Sequence, residues 1–325
     1  MNNSNKLKIF KYTGPLSEML EGFIRQKRAL GCQYNSEAGC LAVFDRFTMN
    51  FNFEKNTLPK YVVDEWIRKK PNEKNLTQIK RINLIKQVGQ YIKDQGQESY
   101  IPPSKFTSIN TPIYIPYIFS AEEIKLLLQY ADAYQSTIRS PYLHLIVPVV
   151  FRILYGCGLR VSEVLRLQVK DIDLEHRVLT IRNTKFSKDR YVPMASSLNE
   201  KCSDYLKRMH PIANPEDYFI KSPSGYKYTQ EAVYYWFRVI LWKIGISHGG
   251  KGHGPRVHDL RHTFAVHCLK RWVLNEKDIT AALPVLSAYL GHSDLRGTQI
   301  YLRLTADLFP SISTTMDKKF GGDDE

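Results

Sequence analysis

Residues 97–117 carry no hydrophobic period, and Pro102, Pro103, Pro112 and Pro116 stand there among serine, threonine and asparagine. Proline fixes φ and donates no backbone hydrogen bond, so such a stretch interrupts any helix or inner strand that would cross it. The chain is therefore expected to fold as two bodies, residues 1–117, with a linker from about 97, and residues 118–325. At 325 residues, each body is long enough to bury its own core.

Before the break, the pattern is helical. Leu16, Met19, Leu20, Phe23, Ile24 and Leu30 follow helical spacing up to Gly31. Leu41, Phe44 and Phe47 mark a second helix over about 36–47. Val62, Val63, Trp66 and Ile67 mark a third, from near Pro59 to Pro71, and Leu76, Ile79, Ile82, Ile85, Tyr91 and Ile92 a fourth that ends at Gly96. After the break, Ser120 and Glu123 form a capping box ahead of an apolar helix. A helix then runs to Tyr155, and the period shifts to three short strands, 167–173, 178–182 and 190–194. Helices are predicted again near 197–209, 229–244, 259–272 and 278–290, and around Tyr301.

Charge narrows the partner. The chain has 46 Lys and Arg against 32 Asp and Glu, a net of +14, which points to a polyanion. The first body holds 18 basic and 10 acidic residues, the denser surplus for its length. Lys80, Arg81, Lys86 and Lys93 lie on its fourth helix, where a solvated face is the plain reading and a DNA-facing stripe the sharper one. The opening Met-Asn-Asn-Ser-Asn has no apolar core, so no signal peptide is expected. The apolar run from Leu143 to Leu159 is broken by His144, Pro148 and Arg152, so no membrane partner is expected. Five cysteines without a CxxC pair suit a reducing cytosol.

Two local patterns fail, and the first of them also follows a helix where a phosphate loop follows a strand. Gly245 to Lys251 has phosphate-loop spacing, but Gly252 stands where a Ser or Thr would hold magnesium. His258 and His262 have the spacing of two zinc ligands on a helix, but Asp259 replaces the glutamate of that motif. No metal and no cofactor is therefore expected. Read otherwise, His258 and Arg261 share one helix face, and Arg160 can pair with Glu163 three residues on. Two arginines beside a hairpin lysine and histidines suit phosphoryl transfer, which demands cations and donors around non-bridging oxygens. Arginine meets that demand with a planar, permanently charged fork.

Four segments in order resemble the boxes of the tyrosine recombinases, the phage integrase family. Gly158-Leu159-Arg160-Val161-Ser162-Glu163 is similar to the first arginine box, and Lys185 to Pro193 to the β-hairpin motif. His258-Asp259-Leu260-Arg261-His262 is similar to the HxLRH box. Leu290-Gly291-His292, with Tyr301 nine residues later, is similar to the closing box. The segment from Arg271 to Leu290 is longer than in compact bacterial members, and Arg303 stands where many have histidine.

The resemblance implies a mainly α fold with a small antiparallel β-sheet. A helical core-binding (SAM-like) domain would precede a mixed α/β catalytic domain. It implies a site-specific recombinase, of integrase or transposase type, that breaks and rejoins strands through a 3′-phosphotyrosine without ATP or metal. Tyr301 would be the nucleophile, with Arg160 and Arg261 on the phosphate and Lys185 protonating the leaving 5′-oxygen. His258 would take the tyrosine proton and His292 donate to a phosphate oxygen, while Glu163 and His262 orient these groups. The implied partner is double-stranded DNA with specific sites, bound by a homotetramer, with accessory proteins, in the cytoplasm at the nucleoid. Two rivals are a type IB topoisomerase, with the same chemistry but strand relaxation as outcome, and a non-catalytic regulator using Leu283–Leu302 as a helix-turn-helix.

Overall fold

The computed structural model describes residues 7–103, 115–182, 189–212, 214–247, 249–250, 254–292, 298, 301–302 and 304. The chain divides into two compact units, Met1–Tyr114 and Ile115–Glu325.

Among the described residues, the first unit holds four helices, α1 (Ser17–Ala29), α2 (Asn35–Thr48), α3 (Lys60–Ile67) and α4 (Asn75–Asp94). Each buries the stripe its spacing predicts: Leu20, Phe23 and Ile24 from α1, Leu41 and Phe44 from α2, Val62, Val63 and Trp66 from α3, and Ile82, Ile85, Val88 and Ile92 from α4. The stretch expected to be linker from 97 is at first part of this unit. The Tyr100 N–H donates to the Leu58 carbonyl at 2.8 Å, and the Leu58 N–H donates to the Glu98 carbonyl at 2.9 Å. That pairing satisfies main-chain groups that would otherwise need water, with no side-chain period to announce it.

The candidate stripe on α4 is split by burial. Lys80 and Lys93 are exposed and Lys86 is half-buried. Arg81, by contrast, is 6 % exposed. It donates from Nε and Nη2 to the two oxygens of Glu73 at 3.1 and 2.8 Å and to the Arg68 carbonyl, and its guanidinium lies over Trp66. Arg81 is thus committed to the fold and is withdrawn from the DNA-facing set. The reason is geometric: residue 81 lies one position from Lys80, which turns it 100° around the helix into the core.

Among the described residues, the second unit is mainly α with one small sheet. Its helices are α5 (Ala121–Asp132), α6 (Leu143–Gly156), α7 (Val161–Val164), α8 (Ser196–Met209), α9 (Gln230–Lys243), α10 (Asp259–Leu274) and α11 (Ile279–Leu290). The capping box forms: the Glu123 N–H donates to Ser120 Oγ, and the Ser120 N–H donates to Glu123. The antiparallel sheet has the order β1 (Ile172–Asp173), β2 (Val178–Ile181), β3 (Arg190–Pro193), with Ile181 opposite Arg190. The first predicted strand, 167–173, is mostly not one. Val169–Asp171 is a 3-10 turn, because Asp171 accepts the Gln168 N–H, and Val169 and Lys170 donate to the Asp217 and Pro215 carbonyls. Apolar alternation sufficed for burial and local polar side chains decided the backbone. The core joins α5, α6, α8 and α9 to the sheet, and a smaller cluster of Ala265, Val266, Leu269, Leu286, Leu290 and Tyr301 lies along α10 and α11.

Candidate active site

Three turns build the site. The first leads from α6 to α7 through Gly158, whose φ is +58°. A Cβ there would come within 2.5 Å of Phe264 and 3.1 Å of Leu290, so only glycine fits. The turn delivers Arg160, 37 % exposed, and α7 returns Glu163 beneath it. Arg160 donates to Glu163 through Nη1 at 2.8 Å and through its backbone N–H at 3.0 Å.

The second turn opens α10. Asp259 is buried and accepts the Arg256 N–H at 2.8 Å, which fixes the helix start. His258 faces solvent just before the helix, while Arg261 is 1 % exposed. Arg261 donates to the Gly158 carbonyl at 2.8 Å and the Leu290 carbonyl at 2.6 Å. It therefore braces the first box against the closing one.

The third turn ends α11 at Gly291, left-handed with φ +69°. A Cβ here would meet Arg190 at 2.8 Å. Past it, His292 Nδ1 lies 2.7 Å from the Thr298 hydroxyl, and its ring stacks on Tyr301 with centroids 6.1 Å apart. The Tyr301 ring is 1 % exposed, within the small apolar cluster. Its hydroxyl lies 3.0 Å from His262 Nδ1, and it stands within the field of the Arg261 guanidinium. A core tyrosine and a reactive one are alternatives by sequence, yet this residue has a buried ring and a hydroxyl within the polar cluster.

The electrostatics follow from three guanidinium groups gathered around one carboxylate. Burial raises the Glu163 pKa, but the Arg190 hydrogen bonds and charge, with Arg160, outweigh it and hold the carboxyl at about 2. Burial and the neighbouring guanidiniums bring Arg261 down to about 10. Burial, then His258 and Arg261, lower His262 to about 4, and burial, Arg261 and Arg160 do the same to His292. His258 is lowered in the same direction by partial desolvation in the cleft and by Arg261 and Arg160. All three imidazoles are neutral at pH 7 and keep one donor and one acceptor each. Burial raises Tyr301, and Arg261 opposes it. Beside these groups lies a groove of about 560 Å³ lined by Arg160, Ser162, Gln230, Tyr234, Arg256 and His258.

The sites expected from sequence are therefore brought together for Arg160, Glu163, His258, Arg261, His262, His292 and Tyr301. Lys185 lies outside the described residues, as does Arg303. The histidine at hydrogen-bond distance from the tyrosine is His262, where the family resemblance implies His258 as the proton acceptor. His258 instead packs edge-on against His262, with ring centroids 4.8 Å apart. Arg190 carries no role in the sequence reading, yet it donates to both Glu163 oxygens at 3.1 and 2.8 Å and to the Tyr289 carbonyl. One signal was available: Arg190 alternates with the buried Val192 along β3, and an inward-facing cation requires a counter-charge. No group of three or more His, Cys, Asp or Glu that could hold a metal occurs among the described residues.

The Phage integrase family profile matches residues 118–307. A putative integrase/recombinase, y4rB, of Sinorhizobium fredii (strain NBRC 101917 / NGR234) is 29% identical over 93% of this chain and 97% of its own length. Tyrosine recombinase XerA of Pyrococcus furiosus is 32% identical over 70% of this chain and 71% of its own. Among solved structures, XerH site-specific recombinase bound to a palindromic difH substrate superposes with a TM-score of 0.63, at 20% identity over 92% of this chain and 84% of that one. The Tn1549 transposon integrase in complex with a circular intermediate DNA gives 0.62, at 18% identity over 87% and 94%. At these identities the superpositions speak for the fold.

Proposed function

The chain belongs to the phage integrase family and is a tyrosine site-specific recombinase, and from that premise we propose the roles of its residues. Tyr301 Oη attacks the scissile phosphorus, the bond to the 5′-oxygen breaks, and a 3′-phosphotyrosine forms. The phosphodiester energy is kept in that bond, so rejoining draws on no nucleotide. Arg160 and Arg261 hold the non-bridging oxygens, where charge accumulates in the transition state. His258, open to solvent beside Arg160, and His292 add neutral donors. Lys185 protonates the departing 5′-oxygen. Glu163 and Arg190 position Arg160.

The observation that carries this reading is the Tyr301 hydroxyl at 3.0 Å from His262, within the field of an arginine cluster that one carboxylate does not neutralise. The partner is double-stranded DNA with specific recombination sites, as for the DNA-bound recombinases of the same fold. Lys80, Lys86 and Lys93 contact it from the first unit, which serves as the core-binding domain (1–117), ahead of the catalytic domain (118–325). Exchange between two sites calls for four protomers, and accessory proteins help to assemble them. No helix of the described residues is long and apolar enough to cross a membrane, and we place the protein in the cytoplasm, at the nucleoid.

Tyr301→Phe removes one oxygen and keeps the ring. It is expected to bind a recombination site like the wild type and to give no protein–DNA adduct on a nicked suicide substrate. Wild type should give an adduct on the 3′ side of the break. An adduct that persists in Tyr301→Phe and disappears in Tyr289→Phe would move the nucleophile to Tyr289.

A further inference from the structure

The reading of Tyr301 as nucleophile leaves open where its proton goes. A phenol is a weak nucleophile while protonated, so a group must accept that proton as the oxygen approaches phosphorus. Among the described residues, three histidines lie nearby, and their geometry separates them. His292 stacks face-on against the Tyr301 ring, and its Nδ1 is engaged with Thr298 at 2.7 Å. His258 packs edge-on against His262 and faces solvent. His262 has its Nδ1 3.0 Å from the Tyr301 hydroxyl.

Resting on that reading, we propose that His262 is the general base of the cleavage step, accepting the Tyr301 proton on Nδ1. The O–H bond of Tyr301 breaks and its proton moves to His262. The phenolic oxygen bonds to phosphorus, and the P–O5′ bond breaks with a proton supplied to the leaving oxygen from the other side. In the rejoining step the 5′-hydroxyl returns its proton to Lys185, the acid proposed for the forward step, as it bonds to phosphorus, and the displaced phenolic oxygen takes its proton back from His262.

Two surroundings make His262 suited to this task. It is faced by His258 and Arg261 of its own helix, by Arg256 from the preceding turn and by Tyr301. Burial first, with the Arg261 and Arg256 guanidiniums, keeps the ring neutral, and the tautomer with its proton on Nε2 presents the Nδ1 lone pair to the phenol. The positive charge of Arg261 favours the phenolate, so the oxygen has a cation nearby and a ring nitrogen at hydrogen-bond distance as charge develops. Once protonated, the imidazolium stands beside a guanidinium, which favours return of the proton in the reverse step.

The test compares two phenols at position 301, native tyrosine and 3-fluorotyrosine, whose phenol is more acidic. Each is placed in wild type, His262→Leu and His262→Asn, and adduct formation is timed on a nicked suicide substrate. Asparagine keeps an acceptor near the Nδ1 position but holds no proton at neutral pH. With native tyrosine, both variants should slow by about 10²–10⁴-fold while binding the site normally. The fluorinated phenol should recover much of that loss in the variants and change the wild type little. The ratio of the two phenols within one variant cancels any shortage of folded protein. Unchanged cleavage in His262→Leu, the same deficit with both phenols, or full activity in His262→Asn would each overturn the proposal. An adduct in Tyr301→Phe would instead overturn the assignment of the nucleophile on which it rests.

Discussion

Two carboxylates, Glu73 in the first unit and Glu163 in the second, each receive an arginine fork on both oxygens. Arg81 approaches Glu73 at 3.1 and 2.8 Å, and Arg190 approaches Glu163 at the same pair of distances. The difference is what else arrives. Glu73 also accepts the Lys70 N–H at 3.1 Å, but a single guanidinium, Arg81, pairs with it, held between Trp66 and the Arg68 carbonyl. Glu163 also takes Arg160, with Arg261 close behind, so the cluster has more positive charge than its carboxylate can balance. A balanced pair holds a fold together, whereas an unbalanced one keeps a place for an anion.

The largest expected effect is on the balanced pair. Arg81→Ala strips the half-buried Glu73 of its guanidinium and opens a gap beside Trp66, and should cost about 3 kcal/mol of unfolding free energy, while the rate of adduct formation per bound molecule stays near wild type. Chemical denaturation with a rate measurement on the same sample checks both, and a rate loss with full stability would erase the contrast between the units. Arg160→Ala is the converse. With Arg190 still on Glu163, the melting temperature should hold, and cleavage should drop about 10²–10³-fold. A variant that melts early and cuts normally would make Arg160 a structural residue.

Acid comes next. The folded pKa of Glu163 is depressed, so its contribution is present above the unfolded value near 4.5 and is lost as pH falls toward about 2. That window corresponds to roughly 3 kcal/mol in the second unit. Glu163→Gln should flatten the stability curve between those limits, and a curve as steep as wild type would reassign the acid loss. Glu73 is also lowered, first by its Arg81 hydrogen bonds, and has the same sign. The smallest effect falls on Lys80, Lys86 and Lys93. Changing all three to glutamine should make the dependence of log affinity on log salt shallower, by about 0.9 for each phosphate that is no longer neutralised. An unchanged slope would take DNA away from that side of α4.

What the sequence disclosed and what it withheld divide along physical lines. Helical stripes were legible because burial repeats every turn, and α1 to α4 follow them. The boxes were legible because Arg160 with Glu163, and His258 with Arg261, are local pairs at helical spacing. Pairings between boxes were not. Nothing in the neighbourhood of Arg190 names Glu163, 27 residues earlier, and nothing near His262 names Tyr301, 39 residues later. Arg81 departs from expectation for a related reason: a lysine-rich segment looks like one face, while the helix turns that residue inward. The turn at Val169–Asp171 depends on carbonyls from Pro215 and Asp217, which a local pattern cannot foresee.

The brace formed by Arg261 also sets a limit in donor stoichiometry. A guanidinium has five N–H bonds and an ammonium three. Arg261 gives one to the Gly158 carbonyl and one to the Leu290 carbonyl. Three are left over, enough for the forked phosphate contact of its proposed role. Lysine at this position would have one to spare even if it reached both carbonyls, too few for a fork. In that proposed role, the residue that joins the boxes can also address the substrate because arginine has more donors than the scaffold consumes.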